Sequence, residues 1–222
     1  MMRFSLHEIS QALALRSPLV LMLFFFSMMG AALIMGVAGP MPADYALTLG
    51  VMPGAVLLAA TILHFRDSRD DVIIMTKRRF WVSLVSGLVW GLTASLVYDL
   101  YKPLVILILG LQFDPYRAMP HFGHAMTGLP PSSYGSLLAG WFYHYWIGMM
   151  LGMIFALMRP QGGIPWAILF VLVLQAVRLA VYPNVLRLSL EDPEFIANGI
   201  VGLALWGGIL GFGIKRWGTS HA

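Results

Sequence analysis

The chain has 222 residues, of which 59% are hydrophobic and only 11% charged, with mean hydropathy +0.80 and a formal net charge of +4. A soluble domain carries roughly a quarter charged residues, so this composition excludes one and points to an integral membrane protein. The lack of cysteine excludes a disulfide framework, a thiolate metal site and a cysteine nucleophile, and the basic excess lies in short loops and tails, where it signals topology rather than nucleic-acid binding.

The apolar runs are about 20 residues long, enough to cross a hydrocarbon core about 30 Å thick. They lack the strict alternation of an outer-membrane barrel strand. The predicted fold is therefore all-α, a polytopic transmembrane bundle of six spans. Residues 1–16 set Phe4, Leu6, Ile9, Leu13 and Leu15 against Arg3, Glu8, Gln11 and Arg16, the pattern of an interfacial amphipathic helix. The competing reading is a signal-peptide n-region, but the apolar core that follows is longer than the usual run of about 7–15 residues, which favours an uncleaved first span. Residues 17–65 read as a helical hairpin: span 1 over about 18–38, closed by Gly39-Pro40-Met41-Pro42, then span 2 over about 45–65 with a kink expected at Pro53.

Residues 66–79 hold five basic and three acidic side chains and are expected to form a charged loop in water. Span 3 opens on the interfacial pair Phe80-Trp81 and runs to about residue 100. The apolar piece 103–111 is too short to cross alone. It is either a re-entrant segment or the end of a long tilted span kinked at Pro103. Residues 112–135, rich in proline and glycine, read as an outward-facing loop. Spans 4, 5 and 6 follow at about 136–159, 164–182 and 196–214, completing a four-helix membrane core over 80–214, with 215–222 as a tail. Six spans put ten Lys and Arg residues on the side of the termini and leave four, Lys102, Arg117, Arg178 and Arg187, on the other. That asymmetry gives an N-in, C-in orientation.

Glycines recur four residues apart inside the spans, at Gly50 and Gly54, Gly87 and Gly91, Gly148 and Gly152, and Gly207 and Gly211. Such ladders let helix backbones approach in lipid, where no hydrophobic force separates helix from tail. Above them lie the few ionisable groups. Span 3 reads Ser83, Gly87, Gly91, Ser95, Asp99 in four-residue steps, and span 4 reads His144, Gly148, Gly152, Ala156. In antiparallel helices Asp99 and His144 both fall toward the outer side, as do Gln175 and Arg178 of span 5. The expectation is a polar cluster of Asp99, His144, Arg178 and Gln175, with Asp99 and Arg178 as its ion pair. In the alternative each group snorkels separately, with His144 held in a belt of Trp141, Phe142, Tyr143, Tyr145 and Trp146.

His121 and His124 in the outer loop, with Asp114 upstream, have the ligand chemistry of a divalent-metal site. A bis-histidine haem needs two histidines at similar depth. His64 and His144 lie at opposite ends of their spans; His144 with His121 or His124 stays open. No Ser-His-Asp or His-Glu-x-x-His pattern occurs, so no catalytic residue is assigned and no cofactor is required by the sequence, haem and divalent metal being the alternatives.

The stretch 87–94, Gly-Leu-Val-Trp-Gly-Leu-Thr-Ala, together with His144 followed by Gly148, Gly152 and Ala156 and a fifth span ended at Pro183, resembles uncharacterised bacterial inner-membrane proteins of the YagU type over residues 86–214. Those relatives often carry a second histidine opening the last helix, where this chain has Asn198-Gly199. The resemblance implies the architecture and no reaction. The expected role is a structural or accessory subunit of a larger membrane complex in a bacterial inner membrane, without catalytic machinery. Its partners would be other membrane subunits and lipids, with no nucleic acid, and a homo-oligomer stays open. The rivals are a small oligomeric transporter or channel with an outer polar site, and a haem- or quinone-binding redox subunit.

Overall fold

A computed structural model of the protein describes residues 46–64, 71–112, 114–159, 161–181 and 199–221. The expected amphipathic helix at 1–16 and span 1 lie outside the described residues. Those that are described form helices and connections, with no strand among them. They are α1 (Met52–His64), α2 (Asp71–Leu109), α3 (Ala118–Thr127), α4 (Tyr134–Met158), α5 (Ile164–Val181) and α6 (Gly202–His221). A π-helical segment, Ala46–Val51, runs into α1 just ahead of Pro53. A proline has no N–H for the carbonyl four residues back, and a wider winding is one way a helix accommodates that.

Three helical stretches, Arg78–Leu109, Tyr134–Met158 and Gly199–Trp217, are long and apolar enough to cross a membrane, and Thr48–Leu63 and Ile164–Ala176 are shorter apolar helices. Leu100, Leu104, Leu107 and Ile108 stand exposed along α2, an arrangement that lipid tails tolerate and water does not.

One of the two readings left open for 103–111 is observed, and three other boundaries differ from the sequence reading. Asp71–Leu109 is one helix of 39 residues, so 103–111 continues span 3 and is not a separate re-entrant piece. The charged stretch is helical from Asp71 onward, because charge does not stop a helix whose backbone bonds are internal, and no proline or glycine interrupts 71–86. The 215–222 tail likewise continues α6 as far as His221. The 112–135 loop contains α3, whose Pro120 sits in the first turn, where no intrahelical N–H is needed.

α2 is the central element. α4 packs antiparallel along it and α6 packs against it as well, while α5 lies against α6 and α3 folds back on the start of α4. A core of Ala94, Tyr98, Phe155, Ala156, Ala167, Val171, Trp206, Leu210 and Ile214 draws on α2, α4, α5 and α6. Glycine sets the interhelical distances. A Cβ on Gly91 would stand 2.6 Å from the Gly148 carbonyl, one on Gly152 2.7 Å from the Gly91 Cα, and one on Gly211 2.8 Å from the Gly163 carbonyl. Gly87 faces the Met153 Cα and the Gly152 carbonyl, and Gly207 the carbonyl of Ala167. Gly123 and Gly140, which the sequence reading did not single out, do the same for α3 on α4, meeting the carbonyls of Ser136 and Met119.

The turn into α4 is tied by side chains. Gly128, at φ 71°, ends α3 with its N–H on the His124 carbonyl, the left-handed cap for which glycine is suited. Ser133 caps α4 by accepting the Ser136 N–H at 3.1 Å. Ser133→Ala is expected to cost about 1 kcal/mol, read as a lower midpoint in detergent unfolding. An unchanged midpoint would mean the cap contributes nothing.

Candidate functional site

Near the α3 end of the bundle, one buried carboxylate collects two cationic or ionisable neighbours. Asp99 follows Ser95 by four residues on the face of α2 that meets α4, and Lys102, three further on, stays on that face. Because Gly91 meets Gly148, and Gly152 meets Gly87 and Gly91, the antiparallel register carries His144 up to Asp99. Asp99 Oδ1 accepts from Lys102 Nζ at 3.0 Å, and Oδ2 lies 3.0 Å from His144 Nε2. A carboxylate can only accept, so Nε2 carries the hydrogen. Asp99 is 6% exposed and Lys102 4%. Burying either charge alone costs several kcal/mol, so the pair is mutually obligatory.

An aromatic wall encloses the pair. Lys102 Nζ stands 4.2 Å from the centroid of Tyr98 and 5.3 Å from that of Tyr116, within the range in which a ring face attracts a cation. Tyr98 stacks on His144, Trp141 meets His144 edge-on, and Tyr116 packs on Trp141. Tyr145 interacts with the Asp99 side chain as well as packing against His144.

Tyr116 also solves a backbone problem. Pro103 lies inside α2 and has no N–H to give the carbonyl four residues earlier, which is that of Asp99. The Tyr116 hydroxyl donates to the Asp99 carbonyl at 2.8 Å. Burial, aided by the nearby negative charges of Asp99 and Asp114, holds the Tyr116 phenol above its ordinary pKa, so it remains a donor through neutral pH. Asp114 fixes the tyrosine by accepting the Tyr116 N–H at 2.8 Å. Tyr116→Phe is expected to cost about 1–3 kcal/mol, the usual range for a buried acceptor left without its donor. In a Pro103→Ala background, where the helix supplies its own N–H, the same change is expected to cost distinctly less. Equal losses in the two backgrounds would sever the link between Pro103 and Tyr116.

Below the carboxylate, Ser95 Oγ donates to the Gly91 carbonyl at 2.9 Å and accepts the Trp206 indole N–H at 3.0 Å. A Cβ on Gly148 would strike this hydroxyl, so Gly148 admits the link between α2 and α6.

Gln175 continues the buried Ala167, Val171 face of α5. Gly207 meets Ala167 and Val171, and Trp206 reaches Ser95, so the register places Gln175 toward the same end of the bundle as Asp99. Its Oε1 is buried and, among the described residues, receives no hydrogen bond. Arg178 belongs to α5, but its side chain lies outside what is described, and the expected Asp99 to Arg178 pair with it. Among the described residues the ion-pair partner of Asp99 is Lys102, which the sequence reading counted among the outer topology signals.

The expected metal triad does not assemble. His121 and His124 are exposed on α3, His124 Nδ1 lies 2.7 Å from the Leu129 carbonyl, and Asp114 is engaged by Tyr116. Among the described residues no group of three or more His, Asp or Glu side chains is placed to hold a metal ion. Haem ligation through His144 Nε2 would require it to leave Asp99.

Comparison of the chain with protein-family models, with curated proteins and with solved structures finds no match.

Proposed function

We propose that the chain is a six-span protein of a bacterial inner membrane, with both termini on the cytoplasmic side. In this reading it works as a small oligomeric transporter in which the Asp99 node binds and releases a proton. The observation that carries the proposal is the single carboxylate whose two oxygens are held at 3.0 Å by Lys102 and His144 within helices apolar enough to cross a membrane. Ionisable groups at such depth are costly and mark ion paths and proton relays. Lys102 holds one oxygen, His144 Nε2 stays on the other, and Nδ1 exchanges the proton. The orientation is supported by the ten-to-four distribution of Lys and Arg, and the likeness to YagU-type proteins supports the architecture alone.

The test is proton flux into proteoliposomes carrying a trapped pH dye, driven by a potassium diffusion potential. The unaltered chain is expected to conduct protons above empty vesicles. His144→Gln keeps a donor toward Asp99 but cannot titrate, and is expected to fold and lose the flux. No flux from the unaltered chain, or an equal flux from His144→Gln, would overturn the reading.

A second reading, a structural or accessory subunit, is favoured by the outer turns of α2, where Leu107 is 79% and Ile108 75% exposed. A partner helix would cover this face as well as lipid does. Purification in mild detergent separates the two readings, since a subunit copurifies with a stoichiometric partner and a transporter emerges alone or as a homo-oligomer.

A further inference from the structure

The opposite end of the bundle carries a basic group that the Asp99 node does not use. Arg159 ends α4, and its guanidinium lies over the indole of Trp166, 4.0 Å from the ring centroid. The connection from α4 to α5 is compact. The Gly162 N–H donates to the Arg159 carbonyl at 2.7 Å, Gly162 is buried, and Gly163 packs its carbonyl against Gly211 of α6. That contact brings the last turns of α6 beside the connection, with the stem of Lys215 3.5 Å from where a Gly163 Cβ would stand. Arg159 and Lys215 thus flank one turn from two different helices, both exposed. Among the described residues neither has a carboxylate partner. Phe80 packs with Leu157, so exposed Arg78 and Arg79, just before Phe80, belong to the same end.

Two exposed indoles accompany this group, the side chain that favours the depth of lipid headgroups. Trp166 is 48% and Trp81 50% exposed, and indole rings concentrate at the membrane interface, where an apolar body and one polar N–H are both accommodated. A guanidinium stacked on such a ring is held in orientation, with its N–H edge still available to an anion. The stem of Lys215 covers Gly163 while its ammonium reaches outward.

We propose that Arg159 and Lys215, with Trp166 as the platform, form a binding site for the phosphodiester headgroup of an anionic membrane phospholipid. The guanidinium takes two phosphate oxygens, the ammonium adds a point charge from α6, and the acyl chains run down the exposed apolar side of α5, past Leu169 and Val173. A lipid held there ties the end of α6 to the connection between α4 and α5. The site is independent of the proton-binding reading of Asp99 and stands or falls without it.

The test reconstitutes the full chain in bilayers of brominated phospholipid, which quench only the indoles they touch. The contribution of Trp166 among the seven tryptophans is isolated by difference from Trp166→Phe. At about 1 kcal/mol per basic residue near an anionic surface, two such residues give a preference on the order of tenfold or more for brominated phosphatidylglycerol over brominated phosphatidylcholine at Trp166. The double variant Arg159→Gln, Lys215→Gln is expected to abolish that preference. Lys215→Gln alone, which leaves the Arg159 turn intact, is expected to reduce it several-fold and keeps the test decisive if the double variant fails to fold. Equal quenching by the two lipids in the unaltered chain, or a preference left undiminished in Lys215→Gln, overturns the proposal. Inorganic phosphate at tens of millimolar is expected not to restore the lost fluorescence. If it does, the site takes a soluble phosphate and the lipid assignment is wrong.

Discussion

Asp99→Asn is expected to destabilise the protein by about 3–5 kcal/mol, the cost of leaving a buried cation without its anion. The cation is Lys102, 4% exposed and 3.0 Å from the carboxylate. The asparagine keeps the shape and one acceptor, so the loss reports charge and not a cavity. Lys102→Met is expected to cost less, because Asp99 keeps its hydrogen bond from His144 at 3.0 Å. Asp99→Asn with Lys102→Met removes both charges. Its cost is expected to fall below the sum of the singles by about 1–3 kcal/mol, the range for residues in direct contact. Unfolding in bilayers, followed for all four proteins, measures each corner of this cycle. If Asp99→Asn lies within about 1 kcal/mol of the unaltered chain, the ammonium has found water or another anion and the node is not a closed ion pair.

The two halves of this node were unequally visible in the sequence. Four-residue steps are a local property, and the ladders Gly87, Gly91, Ser95, Asp99 and His144, Gly148, Gly152 can be read from the chain alone. Registering them in antiparallel needs only that glycine meet glycine. Lys102 was hidden by Pro103. A proline normally ends a helix, so the lysine before it reads as a side chain already leaving the membrane. The helix continues because Tyr116, 17 residues away from Asp99, supplies the donor that Pro103 lacks. No periodicity in the sequence encodes that contact, since it depends on where a turn ahead of α3 returns the chain.

The same reasoning applies to the 112–135 segment. Its prolines at 115, 120, 130 and 131 match a loop, and three of them do lie outside helix. Pro120 occupies a first turn, where its missing N–H costs nothing. With α3 read as loop, Gly123 and Gly140 had no partner to pack against, and the His121 and His124 pair was free to suggest a metal site. Once the helix forms, Gly128 caps it and the His124 imidazole lies against the Leu129 carbonyl. Fold class was recoverable because it follows from hydropathy and length. The wall of the site was not, because it is built from contacts between separate elements.

Glycine offers the sharpest contrast in sign. Gly152→Ala is expected to destabilise by about 1–3 kcal/mol, the range for forced overpacking, and Gly152→Leu by more. A Cβ there would lie 2.7 Å from the Gly91 Cα and onto the Gly87 carbonyl. Both atoms are backbone, so neither can turn aside and α2 and α4 must separate. Separation also pulls His144 from Asp99, since the same seam sets their register. Gly208 sits in α6 one residue from Gly207, yet a Cβ on it would meet nothing within 4 Å. Gly208→Ala therefore gains helix propensity without a clash and is expected to stabilise by up to about 1 kcal/mol. Two identical chemical changes in two membrane helices should thus shift the unfolding midpoint in opposite directions. Equal shifts, or a harmless Gly152→Ala, would mean that the seam adjusts freely and that close backbone approach does not hold the Asp99 node together.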